Sequence, residues 1–321
     1  MANRPLTIAF VMDPLDSIDI AADTTFVLML EAQRRGHRVL YVDPANLSVR
    51  DGRAAAVAQP VTLERKQGDP ARFGPPVPLL LDDEVHIAFQ RVDPPVDTAY
   101  ATATQILALC RRCTVLNRPE GILAANEKLY ALNFSELMAD TIVVRQIPQL
   151  LEFMEKLGGE MIVKPLHGRG GEGIFHVRRD DRNTVSILEQ STDFGSRWVM
   201  AQRYLEDVRR GDKRILLVDG EPIGALLRVP AENEVRSNLH VGGRPEAAAL
   251  DAADHAIIAA VGPSLRRDGL FFVGIDVIGG FLTEVNVTSP TGVQEINSLE
   301  NRRLEEQILD AAEALLDGKS H

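Results

Sequence analysis

Residues Phe271 to Pro290 read FFVGIDVIGGFLTEVNVTSP. Two apolar runs, Leu270 to Ile278 and Leu282 to Val287, flank Gly279, Gly280 and Phe281, which is the signal of a β-hairpin with a short glycine-containing loop. A three-residue loop pairs Ile278 with Leu282 and sets Asp276 opposite Glu284. Because strand side chains alternate between faces, Asn286 then shares a face with Glu284. Two carboxylates and an amide carbonyl are too few for a Ca²⁺ cage. They suit Mg²⁺, which keeps waters and takes its remaining ligands from phosphates, so the hairpin points to a nucleotide. Two readings compete with this one. The hairpin can be a solvated acidic face, and a two-residue Gly-Gly turn would put Asp276 on the wrong side of the sheet.

The chain has 321 residues, enough for two or three domains. It is 45% hydrophobic and 25% charged, the composition of a globular protein. With 35 basic against 46 acidic side chains the net charge is −11, which argues against nucleic acid as a partner while leaving room for a local basic pocket. There is no apolar run of about 18 residues, and the opening MANRPLTIAFVMDP reaches Asp13 too early for a signal peptide. The expectation is a cytoplasmic protein with no membrane partner. Cys110 and Cys113, the only cysteines, form a C-x-x-C without further metal ligands nearby and are expected on a buried helix face.

Leu6 to Met12 reads as a buried strand and Asp13-Pro14 as a turn. Asp23 or Thr24 can cap a helix running to Arg35, with Gly36 after its end and a strand from Val39 to Val42. This β-loop-α-β opening lacks G-x-G-x-x-G, which disfavours a dinucleotide-binding domain and a nicotinamide dehydrogenase. Residues 50 to 80 predict an irregular β-excursion. The strand in VHIAFQRVDPP ends on Arg91 and Asp93, at the edge where an open α/β sheet meets its ligands. A helix over 98–112 and a strand from Thr114 to Leu116 complete the first domain.

From Pro119 the pattern predicts a helix carrying Asn126 and Lys128. Strands at Met161–Lys164 and Ile174–Val177 follow, joined by a loop with glycines at 168, 170, 171 and 173. Such a loop can offer backbone N–H groups to phosphates, but it enters a strand rather than a helix and is no Walker A loop. Backbone edges at Gln202 to Leu205 can pair an adenine. A polar segment flanked by Glu206 and Asp212 leads into a strand beginning at Arg214. Arg228 to Arg244 is polar, contains Gly242 and Gly243, and has the composition of a lid. Helices are expected over 251–268, capped by Asp251, and over 300–317.

Taken together, Lys128, Lys164, HGRGGEGI, YLED…GDKR and GIDVIGGFLTEVNVTSP resemble the ATP-grasp superfamily, and within it the bacterial glutathione synthetases. VMDPLDSIDIAADTTFVLMLEAQRRGH, RVDPPVDTAY, NRPEGILAANEKLYA, GDKRILLVDGEPI and TEVNVTSPTGVQEI look like that family's segments in its order over nearly the full length. The resemblance implies an α/β (α+β) ATP-grasp fold. An N-terminal open parallel α/β domain, residues 1–124, would bind substrate and be followed by two α+β subdomains, 125–202 and 203–321, that clamp ATP. It implies an ATP-dependent ligase joining γ-glutamylcysteine to glycine through an acyl phosphate. Asp276, Glu284 and Asn286 would hold Mg²⁺ or Mn²⁺. Lys128, Lys164, Gly168, Gly170, Gly171, Gln202, Tyr204, Leu205 and Asp212 would bind the nucleotide, with Asp212 at the ribose. Arg214 and Arg228 would be catalytic, and Ser17, Arg91 and Ser289 would contact the dipeptide. A homotetramer is the implied assembly. Another ATP-grasp carboxylate–amine ligase would share the nucleotide site, and a non-catalytic module would bind ATP without acceptor-dependent phosphate release.

Overall fold

The computed structural model describes residues 5–168, 170–231 and 242–317. The first sheet grows from β1 (Thr7–Met12), which leads through α1 (Thr24–Arg34) to β2 (Arg38–Val42). Asp23 caps α1, its carboxylate accepting from Phe26 N–H at 2.6 Å, and Gly36 at φ 80° turns the chain back. Next come β3 (Leu47–Arg50), β4 (Arg53–Leu63), β5 (Ala71–Phe73) and β6 (Val77–Leu80), then α2 (Leu81–Glu84), β7 (Ile87–Arg91), α3 (Thr98–Leu107) and β8 (Thr114–Leu116). The sheet runs β3-β4-β2-β1-β7-β8, with β1 parallel to β2 and β7, and β7 parallel to β8. The expected irregular excursion at 50–80 is instead regular antiparallel pairing around the long β4. Helix α3 also stops five residues short of its expected end. The Asp82 carboxylate accepts from the N–H groups of Arg111, Arg112 and Cys113 at 2.8 to 3.0 Å and holds that stretch as a turn. Cys110 and Cys113 therefore lie on that turn rather than on a helix face, Cys113 buried and Cys110 partly so.

Beyond α4 (Pro119–Ala124) the expected long helix is broken, because the Asn126 side-chain oxygen accepts from the N–H of Lys128 and Leu129 at 3.1 and 3.0 Å. A 3₁₀ helix, Tyr130–Leu137, resumes after the break. The second sheet is antiparallel, ordered β11-β10-β12-β9. It is built from β9 (Thr141–Val144), α5 (Ile147–Lys156), β10 (Glu160–Pro165), β11 (Phe175–Arg178), α6 (Thr184–Ser191) and β12 (Val199–Gln202). Leu150, Met154, Met161, Val163, Val177, Leu188 and Val199 form a core of its own.

The third sheet, ordered β15-β14-β13-β16-β17, is antiparallel throughout. Its elements are β13 (Asp212–Val218), β14 (Glu221–Val229), β15 (Arg244–Ala247), α7 (Ala252–Asp268), β16 (Phe272–Ile278), β17 (Phe281–Asn286), α8 (Val293–Glu300) and α9 (Leu304–Asp317). Strand β13 begins two residues before the expected Arg214. Asp251 and Asp254 close a capping box at the start of α7, and Gly269 ends that helix at φ 69°. The closing helix expected over 300–317 is α9, which starts later at Leu304, and the unexpected α8 precedes it, with Asn301 at φ 52° between the two. Of the expected lid, Arg228 and Val229 end β14, and Val229 pairs with Arg244 of β15. Residues 232–241 of that expectation lie outside the described residues.

Leu304, Ile308, Leu309 and Ala312 of α9 share one buried cluster with Ile8 and Phe26 of the first sheet's unit and with Leu216 and Val218 of the third sheet. Each fully buried Leu or Ile contributes about 1.5–3 kcal/mol, so α9 joins the two units through apolar burial. Arg35 reaches Asp310 and Glu313 at 2.7 and 2.8 Å, and Arg303 reaches Glu31 at 2.8 Å. The opposite face of the third sheet packs Ile275, Val277, Leu282 and Val285 against Ile257, Val261 and Leu265 of α7.

Candidate active site

The β16–β17 hairpin turns through two residues, not three. Ile278 pairs with Phe281, and Gly279 and Gly280 take φ values of 56° and 81° that a tight hairpin turn of the primed kind requires. The expected pairing of Ile278 with Leu282 is thus corrected, yet Asp276 still faces Glu284. A β-bulge reconciles the two: Val277 pairs with Leu282 and Asp276 with Glu284, leaving Thr283 as the extra residue. Leu282 and Val285, three positions apart, consequently both enter the core. Glu284 and Asn286 stay on the face of Asp276.

Alternation across neighbouring strands extends this face. Arg228 on β14 pairs in register with Asp212 on β13, and Arg214 on β13 pairs with Asp276 on β16. The Asp276 carboxylate accepts from Arg214 Nε and Nη2 at 2.5 and 2.9 Å and lies 3.0 Å from Arg228 Nη2. Arg228 also donates to Asp212 at 2.5 Å. Burial alone would raise the Asp276 pKa, but the two guanidiniums hold it far below the usual carboxylate range. Glu284 is likewise pushed up by burial and held down on balance by Lys128, whose Nζ lies 2.9 Å from Oε1. Lys128 is 5% exposed and, despite burial, is raised by Glu284. Lys164, at the end of β10, donates to the carbonyl of the bulged Thr283 at 3.2 Å. Burial pushes it down to about 8. Asn286 donates to Gly274 O and Asp276 Oδ2, each at 3.2 Å.

Lys128, Lys164, Arg214 and Arg228, all buried, therefore converge on a face with Asp212, Asp276 and Glu284. Such a face can neutralise a polyphosphate. Its oxygen donors, two carboxylates and an amide, are the hard ligands that suit Mg²⁺. Among the described residues there is no group of three or more His, Cys, Asp or Glu that could hold a metal ion.

Gly168, Gly170 and Gly171 follow β10 with φ of 139°, 64° and 80°, a backbone that favours glycine. Gln202 ends β12, where its amide donates to Thr141 Oγ1 at 2.9 Å. The Tyr204 ring stacks on His176 at 3.9 Å, and Leu205 starts the next 3₁₀ turn. Arg91, at the end of β7, is buried and donates to Thr25 Oγ1 at 3.1 Å and Pro290 O at 2.9 Å, beside Ser289. It is a brace between the first sheet and the loop after β17. Ser17 is exposed, its hydroxyl donating to Pro14 O at 2.6 Å. Glu127 was not anticipated from sequence, which carried no signal for it beyond its place before Lys128. Its carboxylate accepts from Val287 N, Thr288 N and Thr288 Oγ1 at 3.2, 3.3 and 2.8 Å.

The family described as "Prokaryotic glutathione synthetase, ATP-grasp domain" matches residues 127–301, and "Prokaryotic glutathione synthetase, N-terminal domain" matches residues 6–122. A glutathione synthetase of Agrobacterium fabrum is 44% identical over 315 residues, covering 97% of this chain and 98% of its own. One from Gloeobacter violaceus is 46% identical over 312 residues, covering 95% and 96%. Among solved structures, the D-cycloserine synthetase DcsG superposes with a TM-score of 0.68 at 15% identity, covering 96% of this chain and 99% of that one. A RimK domain ATP-grasp protein from Sphaerobacter thermophilus gives 0.61 at 17% identity, covering 95% and 98%. These two likenesses establish the ATP-grasp fold.

Proposed function

This chain belongs to the prokaryotic glutathione synthetase family, and from that premise we propose that the charged face of β14, β13, β16 and β17 is where ATP activates one substrate for ligation. The enzyme is an ATP-dependent ligase that joins γ-glutamylcysteine to glycine, yielding glutathione, ADP and phosphate. A carboxylate is a poor electrophile, so the cysteinyl carboxylate oxygen first attacks the γ-phosphorus while the bond to ADP breaks. The glycine amine then attacks the acyl carbon, the C–N bond forms, phosphate leaves and the ammonium proton is released.

Phosphoryl transfer depends mostly on positioning and charge neutralisation. Lys128 and Lys164 bind phosphate oxygens, assisted by the backbone N–H groups at Gly168, Gly170 and Gly171. Gln202, Tyr204 and Leu205 receive the adenine and Asp212 the ribose. Arg214 and Arg228 stabilise charge on the acyl phosphate and on the tetrahedral adduct. Asp276, Glu284 and Asn286 would hold Mg²⁺ or Mn²⁺, which when bound neutralises charge on the β- and γ-phosphates. Ser17, Arg91 and Ser289 serve the dipeptide, with Arg91 acting from behind through Pro290 O. The observation that carries this reading is the convergence of four buried cations on two strands bearing Asp276 and Glu284.

The three sheets fall within 1–124, 125–202 and 203–321, which supports that division into domains. The family resemblance favours a cytoplasmic homotetramer, and no described helix is long and apolar enough to cross a membrane. Sedimentation at several protein concentrations tests the assembly. Phosphate release from ATP, measured with γ-glutamylcysteine and glycine each omitted in turn, tests the reaction. Full release with neither present would overturn the ligase reading.

A further inference from the structure

Glu127 sits in the break after α4, where three consecutive points of contact tie this segment to β17 and the loop beyond it. The Lys128 side chain pairs with Glu284, the Glu127 main-chain oxygen accepts from Val285 N at 3.0 Å, and the Glu127 carboxylate accepts from Val287 and Thr288. The loop it holds continues through Ser289 to Pro290, whose carbonyl receives Arg91. One short segment thus fastens a phosphate-binding lysine on one side and the floor of the dipeptide site on the other. All three donors converge on one oxygen of the Glu127 carboxylate, Oε1. Burial opposes its ionised form, and so does the neighbouring Glu284.

We propose that Glu127 is a positioning residue that fixes the Val287–Pro290 loop relative to Lys128, and so sets where the cysteinyl carboxylate lies with respect to the γ-phosphate. The inference rests on the reading of the loop after β17 as the seat of the dipeptide, to which Ser289 is one candidate contact. It assigns Glu127 to the seating of γ-glutamylcysteine rather than to ATP affinity.

The test uses the full-length enzyme with Glu127→Ala, Glu127→Gln and Thr288→Val, alongside Ser289→Ala. Losing three hydrogen bonds at once should raise KM for γ-glutamylcysteine about tenfold or more in Glu127→Ala, with ATP affinity changed less than about twofold. Glu127→Gln keeps an oxygen that accepts from the same donors and should restore most of the loss. Thr288→Val removes the shortest of the three contacts and should raise the same KM by a smaller factor. Its effect should largely vanish in the Glu127→Ala background. If Glu127→Ala fails to fold, Thr288→Val carries the comparison. Equal losses for ATP and dipeptide, a lowered melting temperature with unchanged KM, or no recovery in Glu127→Gln would each overturn the proposal. Ser289→Ala separates the two ideas: an unchanged dipeptide KM there, with a raised one in Glu127→Ala, would remove Ser289 from the site and leave Glu127 in its role.

Discussion

Asp276 and Glu284 face each other across one pair of strands yet differ in what depends on them. Asp276 compensates two buried guanidiniums, so Asp276→Ala leaves Arg214 without its carboxylate and Arg228 with Asp212 alone. Breaking a buried pair in this way costs about 3–5 kcal/mol, and urea unfolding should show it. Glu284 has one ion-pair partner among the described residues, Lys128, and Glu284→Gln should cost less stability while lowering turnover by about 10²–10³. An Asp276→Ala protein as stable as Glu284→Gln would sink this distinction. Lys164 supplies a pH test. Its folded value, about 8, lies below that of the unfolded chain, which therefore holds more protons from about 8 up to the usual lysine value. Stability from this group should rise with pH across that window. Nucleotide affinity should move the other way, falling above about pH 8 as the ammonium is lost, and Lys164→Arg should flatten that fall because a guanidinium stays charged. A fall of equal steepness in the Arg variant would separate Lys164 from the phosphates. The facing of Asp276 and Glu284 was anticipated from local strand alternation together with a loop one residue too long. The contacts of Arg228 with Asp276 and of Glu127 with Thr288 were not, since they depend on strand order and on partners far away in the chain.

At the scale of elements, the hairpin was read correctly through an incorrect loop. A two-residue turn with uniform pairing would have sent Glu284 and Asn286 into the core, and the Thr283 bulge absorbs the one-residue mismatch. A bulge has no composition signal as plain as that of paired glycines, which is why a turn at Gly279 and Gly280 was anticipated, though as a three-residue loop, and the bulge was not. Deleting Thr283 should leave Leu282, Val285 and Val287 in the core and Glu284 on its face, because the pairing then becomes regular. The variant should fold, with unfolding close to the parent's, but Lys164 loses its carbonyl partner and nucleotide affinity should drop several-fold. Calorimetry with ATP and thermal unfolding read the two effects separately, and unchanged nucleotide affinity would reduce the bulge to packing. The same lesson holds for the helices. Caps at Asp23 and Asp251 were legible because they act on neighbouring N–H groups. The early end of α3 was not, because Asp82, which enforces it, lies far back in the chain.

For the whole molecule, the distribution of cores matters more than the count of sheets. The first and third sheets share a cluster through α9, whereas the second sheet keeps its own. The boundaries expected from sequence separate segments of chain, but they did not reveal that the last helix closes the core of the first unit. Apolar periodicity shows that a helix has a buried face without showing what covers it. This arrangement predicts two unfolding transitions rather than one. Trp198, the only tryptophan, precedes β12 in the second unit and stacks against Arg145, so its fluorescence reports that unit. Far-ultraviolet circular dichroism reports all three sheets. Ile308→Ala should cost about 2–5 kcal/mol by opening a cavity in the shared core, and it should shift the dichroism midpoint in urea. The Trp198 midpoint should stay where it is, because no Ile308 neighbour belongs to that unit's cluster. Turnover per folded molecule should also be kept, since the charged face is built on β13, β14, β16 and β17 without α9. If both probes shift together by the same amount, the second sheet unfolds with the rest and the division into one shared and one separate core is wrong.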